Sequence, residues 1–174
     1  MGWEDRTGLK WWSYTALFFL LFFLERCVLN RFPLWGAVPR LAPLAVAAVG
    51  FWEGSFSGAV FGLGAGLLCA LTAGTEWAGL IWQYTAIGIA CGTTVNKTLG
   101  RSLLGYLLCA LGSLLFLEGI EVLVRLLFLN QAAEPVCRIA GGEGLYSLLF
   151  APLVYPAFRG ICRRFRTDME FKRR

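Results

Sequence analysis

Histidine is absent from the 174 residues of this chain, and charged residues make up only 16% of it. Histidine is the commonest general base and the commonest metal ligand in proteins, so the sequence lacks the usual group for both roles. The six cysteines are scattered without a CxxC or any other close pairing, and no nucleophile motif is present. We therefore expect no metal site, no cofactor, no disulfide framework and no enzymatic activity.

Long runs of apolar residues make up much of the chain. Hydrophobic residues make up 57% of the chain and the mean hydropathy is +0.64, whereas a soluble domain carries about a quarter charged residues. Several runs approach the ~20 apolar residues that cross a ~30 Å hydrocarbon layer. No polar stretch is long enough to form a core of its own. These features predict a single integral membrane domain over residues 1–174, in contact with the lipid bilayer.

The order of apolar and polar segments predicts an all-α membrane protein with about six transmembrane helices. The apolar region 41–71 is divided in two, because a single helix of that length would measure about 46 Å at 1.5 Å per residue. Glu53 and the small residues that follow it are typical of a tight turn. The predicted spans are about residues 11–29, 40–52, 58–73, 77–95, 102–129 and 144–161, and a short basic tail follows at 162–174.

A five-span arrangement, with residues 41–71 as one helix, remains an alternative. It places slightly more basic residues on the cytoplasmic side, as the positive-inside rule favours. It also buries Glu53 near the centre of the bilayer, at a cost of a few kcal/mol. We prefer six spans for this reason, and six spans put both termini in the cytoplasm. The basic tail then lies against anionic headgroups, and no nucleic-acid motif accompanies it.

Glycine recurs at every fourth position from Gly50 to Gly66 in an otherwise apolar stretch. A small residue at this spacing leaves one helix face without side-chain bulk, and helices in a bilayer associate by such close packing. The candidate residues are Gly54, Gly58, Gly62 and Gly66. Two interpretations are open: internal packing between neighbouring helices of this chain, or a docking groove for the transmembrane helix of a partner.

Glu118, Glu121 and Arg125 form the main polar candidate. Their spacings of three and four place them on one helix face, with Glu121 and Arg125 in a favourable order for an ion pair. At membrane depth such a face indicates a partner contact, a ligand site or a relay. Alternatively, the helix leaves the membrane before reaching them and they form an interfacial salt-bridge ladder. Glu53 and Glu76, at predicted turns, are interpreted as solvated loop charges.

The order of these features resembles the MreD family of the bacterial cell-elongation machinery. The resemblance rests on Val-Pro-Arg-Leu at 38–41, on Glu53-Gly54 followed by the glycine series, and on Leu-Leu-Phe-Ala-Pro-Leu-Val-Tyr-Pro at 148–156. Arg40 stands where the family carries an aspartate, so the chain is similar to a diverged member. The resemblance implies a compact six-helix bundle like the S component of energy-coupling-factor vitamin transporters.

The same resemblance implies a rod-shape-determining function in the bacterial plasma membrane. The chain would be a non-catalytic scaffold for peptidoglycan synthesis, in a complex with an MreC-like partner, the actin-like filament system and a wall synthase. The alternative is a solute-binding S component of a vitamin transporter. In that case a polar pocket near the outer face would use Glu118, Glu121 or Arg125.

Overall fold

The structure is a computed structural model that describes residues 3–31, 38–73, 79–95, 102–128 and 133–171. Within these ranges the backbone is almost entirely helical and contains no strand, which confirms the predicted all-α class. The described residues form six α-helices, numbered in chain order: α1 Trp3–Phe23, α2 Ala42–Glu53, α3 Ser55–Ala73, α4 Gly79–Thr94, α5 Leu103–Phe128 and α6 Ala133–Phe171.

Four helical segments are long and apolar enough to cross a membrane: Gly8–Arg31, Ser55–Thr72, Leu103–Leu127 and Ala140–Phe165. In the first of them, α1 continues through a π-helical and a 3-10 turn. The other two helices, α2 and α4, have 12 and 16 residues, which corresponds to about 18 and 24 Å. Both are shorter than a hydrocarbon layer of about 30 Å. The chain is therefore a membrane protein with four helices of spanning length and two shorter apolar helices.

The predicted division of region 41–71 is confirmed, and a single residue makes the turn. α2 ends at Glu53 and α3 begins at Ser55, three residues earlier than the predicted start at 58. Gly54 between them has φ 97° and ψ 177°, a backbone region that is essentially restricted to glycine. The reversal is tight because Gly54 can adopt this conformation without a steric penalty.

The last helix extends beyond the predicted span 144–161 at both ends. The chain is helical from Ala133 to Phe171, so the segment before the predicted span and much of the predicted tail 162–174 continue the helix. Pro135 lies in the first turn, where the missing N–H costs no hydrogen bond. At the other end, Cys162 is buried while Arg163 and Arg164 are exposed. The buried side of α6 therefore reaches Cys162, one residue past the predicted limit of the span.

Contacts between helix ends show that consecutive helices run in opposite directions. Lys10 in α1 pairs with Glu53 at the end of α2. Arg40, just before α2, pairs with Glu121 late in α5 and with Glu143 early in α6. The bundle therefore has a Glu53 end, where α1 begins and α6 ends, and an Arg40 end opposite to it.

The short helix α2 lies in the centre of the bundle. Every residue from Ala42 to Trp52 is buried. Near its C-terminus, the Phe51 ring contacts the Tyr106 ring of α5 at 5.8 Å between centroids, and the Trp52 ring contacts Tyr155 of α6 at 5.6 Å. α2 is enclosed by its neighbours, so the charged residues that flank it, Arg40 and Glu53, lie at the two ends of the core.

Candidate functional site

A line of glycine contacts, which we call the glycine seam, joins α2 and α3 to α4. A Cβ atom added to Gly50 would lie 2.6 Å from the carbonyl oxygen of Gly88. One added to Gly66 would lie 2.8 Å from the Cα atom of Ile81. Non-bonded carbon atoms pack at about 3.5–4.0 Å, so no side chain fits at these positions. The seam consists of Gly50, Gly58, Gly62, Gly66, Gly88 and Gly92.

Three of the four candidate glycines belong to this seam. Gly58, Gly62 and Gly66 face the backbone of α4, so the surface they form is occupied by a helix of this chain. A Cβ added to Gly54 would meet nothing within 4 Å, so this position requires glycine for the conformation of the turn and not for space. Gly88 and Gly92 on α4 were not among the candidate residues, although their four-residue spacing carries the same signal.

The polar candidates on α5 belong to a larger group, the Arg40 cluster, formed by Arg40, Glu118, Glu121, Arg125 and Glu143. Arg40 Nη1 lies 2.6 Å from Glu121 Oε2, and Arg40 Nη2 lies 3.0 Å from Glu143 Oε2. Arg40 Nε lies 3.6 Å from Glu118 Oε1. Arg125 pairs with the other oxygen of Glu121, as their spacing predicts.

The Arg40 cluster is largely enclosed by protein. Glu118 is 7% exposed and Glu121 is 8% exposed, so neither is a surface charge on the outside of the bundle. Burial alone would lower the pKa of the Arg40 guanidinium. Its hydrogen bond to Glu121 and the nearby charges of Glu118, Glu121 and Glu143 instead raise that pKa above the ordinary value. Arg40 is therefore a permanent cation that holds three carboxylates together.

The backbone around Arg40 is fixed by hydrogen bonds from two other helical segments. The Arg40 N–H donates to Ser147 Oγ of α6 at 2.7 Å. The next two N–H groups, of Leu41 and Ala42, donate to Glu25 Oε2 at 2.7 and 3.1 Å. A carboxylate at a helix N-terminus satisfies free N–H groups and interacts favourably with the helix dipole. Glu25 thus caps α2 and places Arg40 between α5 and α6.

Beside the cluster is a cavity of about 290 Å³, which we call the polar recess. Its charged lining residues come from the end of the α1 segment, the start of α2, the end of α5 and the start of α6. Sequence reasoning found only the α5 members, because the others are distant in the chain and no local spacing relates them. The charged residues that line the recess are Glu25, Arg26, Arg40, Glu121, Arg125 and Glu143.

The interpretation of Glu53 as a solvated loop charge is wrong. Its side chain is only 13% exposed, and Lys10 Nζ lies 2.5 Å from Glu53 Oε2. The hydroxyl of Tyr14 donates to Glu53 Oε1 at 2.7 Å. The partners lie about 40 positions earlier, so the local sequence gives no indication of them. Glu76 lies outside the described residues.

The Arg40 cluster and the recess can bind charged groups by hydrogen bonds and ion pairs. Within the described ranges, no group of three or more histidine, cysteine, aspartate or glutamate residues is arranged to hold a metal ion. The fold and the site together define a helical membrane protein with a buried ion cluster at one end. Comparison with protein-family models, curated proteins and solved structures found no match to this chain.

Proposed function

We propose that this chain is a diverged member of the MreD family and a non-catalytic scaffold of the bacterial cell-elongation machinery. In this proposal all six helices cross the plasma membrane and both termini lie in the cytoplasm. The protein links an MreC-like partner, a wall synthase and the actin-like filament system through contacts between helices.

The observation that supports this proposal is that residues in or next to the first two segments carrying the resemblance contact residues in or next to the third. Arg40, in segment 38–41, donates its N–H to Ser147, which directly precedes segment 148–156. Trp52, next to the Glu53-Gly54 turn, packs on Tyr155 in the same closing segment. A pattern spread over 120 residues thus corresponds to one packed unit, as expected if the segments were retained together for a shared fold.

The position of the glycine seam restricts where partner helices can bind. Because α4 already fills the seam, a partner must use another surface, and the side of the bundle formed by α5 and α6 offers an apolar one. A groove of about 500 Å³ runs between these two helices. Its rim includes the exposed leucines Leu104, Leu108, Leu145 and Leu149.

Depletion of the protein in a rod-shaped bacterium tests the proposal. We expect rounded cells, because lateral wall synthesis would lose its membrane scaffold. Purification in mild detergent should recover a coiled-coil membrane protein with a single span and a wall polymerase. Unchanged cell shape after complete depletion would contradict the scaffold function.

A second candidate function is solute binding as an S component, and the polar recess favours it. The recess has about the volume at which small-molecule pockets begin, roughly 300 Å³. If the chain is an S component, it should purify with an ATPase pair and a coupling subunit, or with a bound vitamin. Recovery of the wall-synthesis partners instead would exclude it.

A further inference from the structure

Two cysteines that are 18 positions apart in the chain meet where α4 lies beside α5. The thiol of Cys91 donates to the carbonyl oxygen of Cys109 at 3.9 Å. The two thiols are also within hydrogen-bonding distance of each other. A disulfide forms only between cysteines whose side chains point toward each other. Cys91 and Cys109 meet this requirement, and neither belongs to the glycine seam or to the Arg40 cluster.

Both thiols line a cavity of about 360 Å³ between α4 and α5, which we call the lateral cleft. Cys91 is 5% exposed and Cys109 is 8% exposed, so they lie at the floor of the cleft. Exposed apolar residues of the two helices form its rim: Ala86, Ala90, Leu108, Gly112 and Phe116. In a bilayer this rim contacts lipid. A molecule dissolved in the membrane can therefore reach the thiols, whereas a charged molecule from water would lose its hydration at a large cost.

We propose that Cys91 and Cys109 form a disulfide when a lipid-soluble quinone enters the lateral cleft. Both S–H bonds break and one S–S bond forms. The two protons and two electrons that the thiols lose reduce the quinone to a hydroquinone. One thiolate attacks the quinone, and the other thiolate then attacks the sulfur so attached and releases the hydroquinone, as in thiol–disulfide exchange.

A quinone suits the lateral cleft for two reasons. It is an uncharged two-electron oxidant, so it crosses the apolar rim without losing the hydration of a charge. A single substituted ring also fits the cavity, since about 360 Å³ lies within the range of roughly 300–1,000 Å³ that is usual for small-molecule pockets.

The disulfide fixes the separation of α4 and α5 at the floor of the cleft. Another side of α4 is already held against α2 and α3 by the glycine seam. Oxidation therefore attaches α4 to the bundle on two sides. This inference goes beyond the scaffold function and does not depend on it, so the cell-shape test and the thiol test give separate answers.

Treatment of the reduced full-length chain in lipid nanodiscs with duroquinone, in the absence of oxygen, tests the proposal. Duroquinone dissolves in the bilayer, and its methyl groups block the ring carbons to which a thiol would otherwise add. Durohydroquinone, the same ring in its reduced form, is the matched control probe. The remaining thiols are then alkylated and the chain is digested with trypsin. Lys97 and Arg101 lie between the two cysteines, so a disulfide keeps peptides 41–97 and 102–125 joined until dithiothreitol is added.

We expect duroquinone to join the two peptides and durohydroquinone to leave them separate. Oxidised glutathione, a charged and water-soluble oxidant, should join them at least about tenfold more slowly, because the rate depends on access to the thiols.

Two cysteine variants locate the disulfide. Cys91→Ala should abolish the joined product. Cys69→Ala is the matched control, because Cys69 is also buried and lies in the same tryptic peptide 41–97. It should leave the joined product unchanged. Thermal unfolding of each variant establishes that both are folded.

Three results would overturn the proposal. The first is the absence of joined peptides after treatment with duroquinone. The second is joining by oxidised glutathione at the same rate, which would show that the thiols are not reached from the lipid. The third is a joined product that persists in Cys91→Ala, which would show that another cysteine is the partner of Cys109.

Discussion

At the scale of single residues, Gly88 shows how the absence of a side chain determines helix packing. Its position on α4 lies directly against the Gly58 peptide of α3, and Gly50 of α2 approaches the same point. Three backbones therefore meet where any side chain would separate them. The four-residue glycine spacing predicted close packing, but it did not specify the partner, because a helix face without side chains can accept a helix of this chain or of another.

Replacement of Gly88 by alanine should destabilise the protein by about 1–3 kcal/mol, because the new methyl group overlaps the α3 backbone. Unfolding in detergent by heat or denaturant measures the loss. Gly112→Ala is the matched control, since it lies in helix α5 and its Cβ would meet nothing within 4 Å. The free energy of unfolding of the control should be unchanged or higher by up to about 1 kcal/mol. Equal stability of the two variants would contradict a tight seam.

Replacement of Gly54 by alanine should also lower the free energy of unfolding by about 1–3 kcal/mol, but for a different reason. The new methyl group has space, whereas alanine disfavours the backbone conformation of Gly54. Gly64→Ala provides the control, because that glycine also has open space around it but lies inside α3. We expect unfolding measurements to show a loss only for Gly54→Ala. Equal stability of Gly54→Ala and the control would contradict a one-residue turn that requires glycine at this position.

At the scale of elements, the Arg40 cluster holds α2 against α5 and α6. Its local part was predictable, because Glu121 and Arg125 are one helical turn apart. Its central residue was not, since Arg40 is about 80 positions from Glu121 and 100 from Glu143, and only the folded chain brings them together. The position of Glu143 also depended on α6 starting at Ala133, within a segment whose glycines and proline favour a loop.

Replacement of Arg40 by methionine should destabilise the protein by about 3–5 kcal/mol, because three enclosed carboxylates lose their shared cation. Arg26→Met is the control at the same end of the bundle. Because Arg26 is exposed, this substitution should lower the free energy of unfolding by at most about 1 kcal/mol. Comparison of unfolding midpoints at neutral pH measures the difference. Similar midpoints for the two variants would show that Arg40 does not hold the cluster together.

At the scale of the whole molecule, alternation of helix direction places the start of α1 and the end of α6 at the Glu53 end. Hydropathy and the position of Glu53 were sufficient to predict the number of helices and the division at Gly54. The short α2 was also predicted, since the expected span 40–52 corresponds to the helix Ala42–Glu53, but α6 extends past both limits of the expected span 144–161. Hydropathy locates only the apolar part of a helix, and the polar turns at both ends of α6 extend the helix beyond that part.

Reporter fusions at the two termini test the six-span arrangement. We expect a fluorescent reporter that folds only in the cytoplasm to be active at either end. An enzymatic reporter that requires export should be inactive at both, because an even number of crossings returns the chain to the same side. Activity of the two reporters at opposite ends would favour five spans.

The length of α2 has an electrical consequence. Charged groups flank a helix of about 18 Å, whereas the surrounding hydrocarbon is about 30 Å thick. We expect water and counter-ions to reach Arg40 from one side and Glu53 from the other. The transmembrane voltage, worth about 2.3 kcal/mol per elementary charge at 100 mV, would then fall mainly across α2. The steepest field in the protein would lie along the axis of its most enclosed helix.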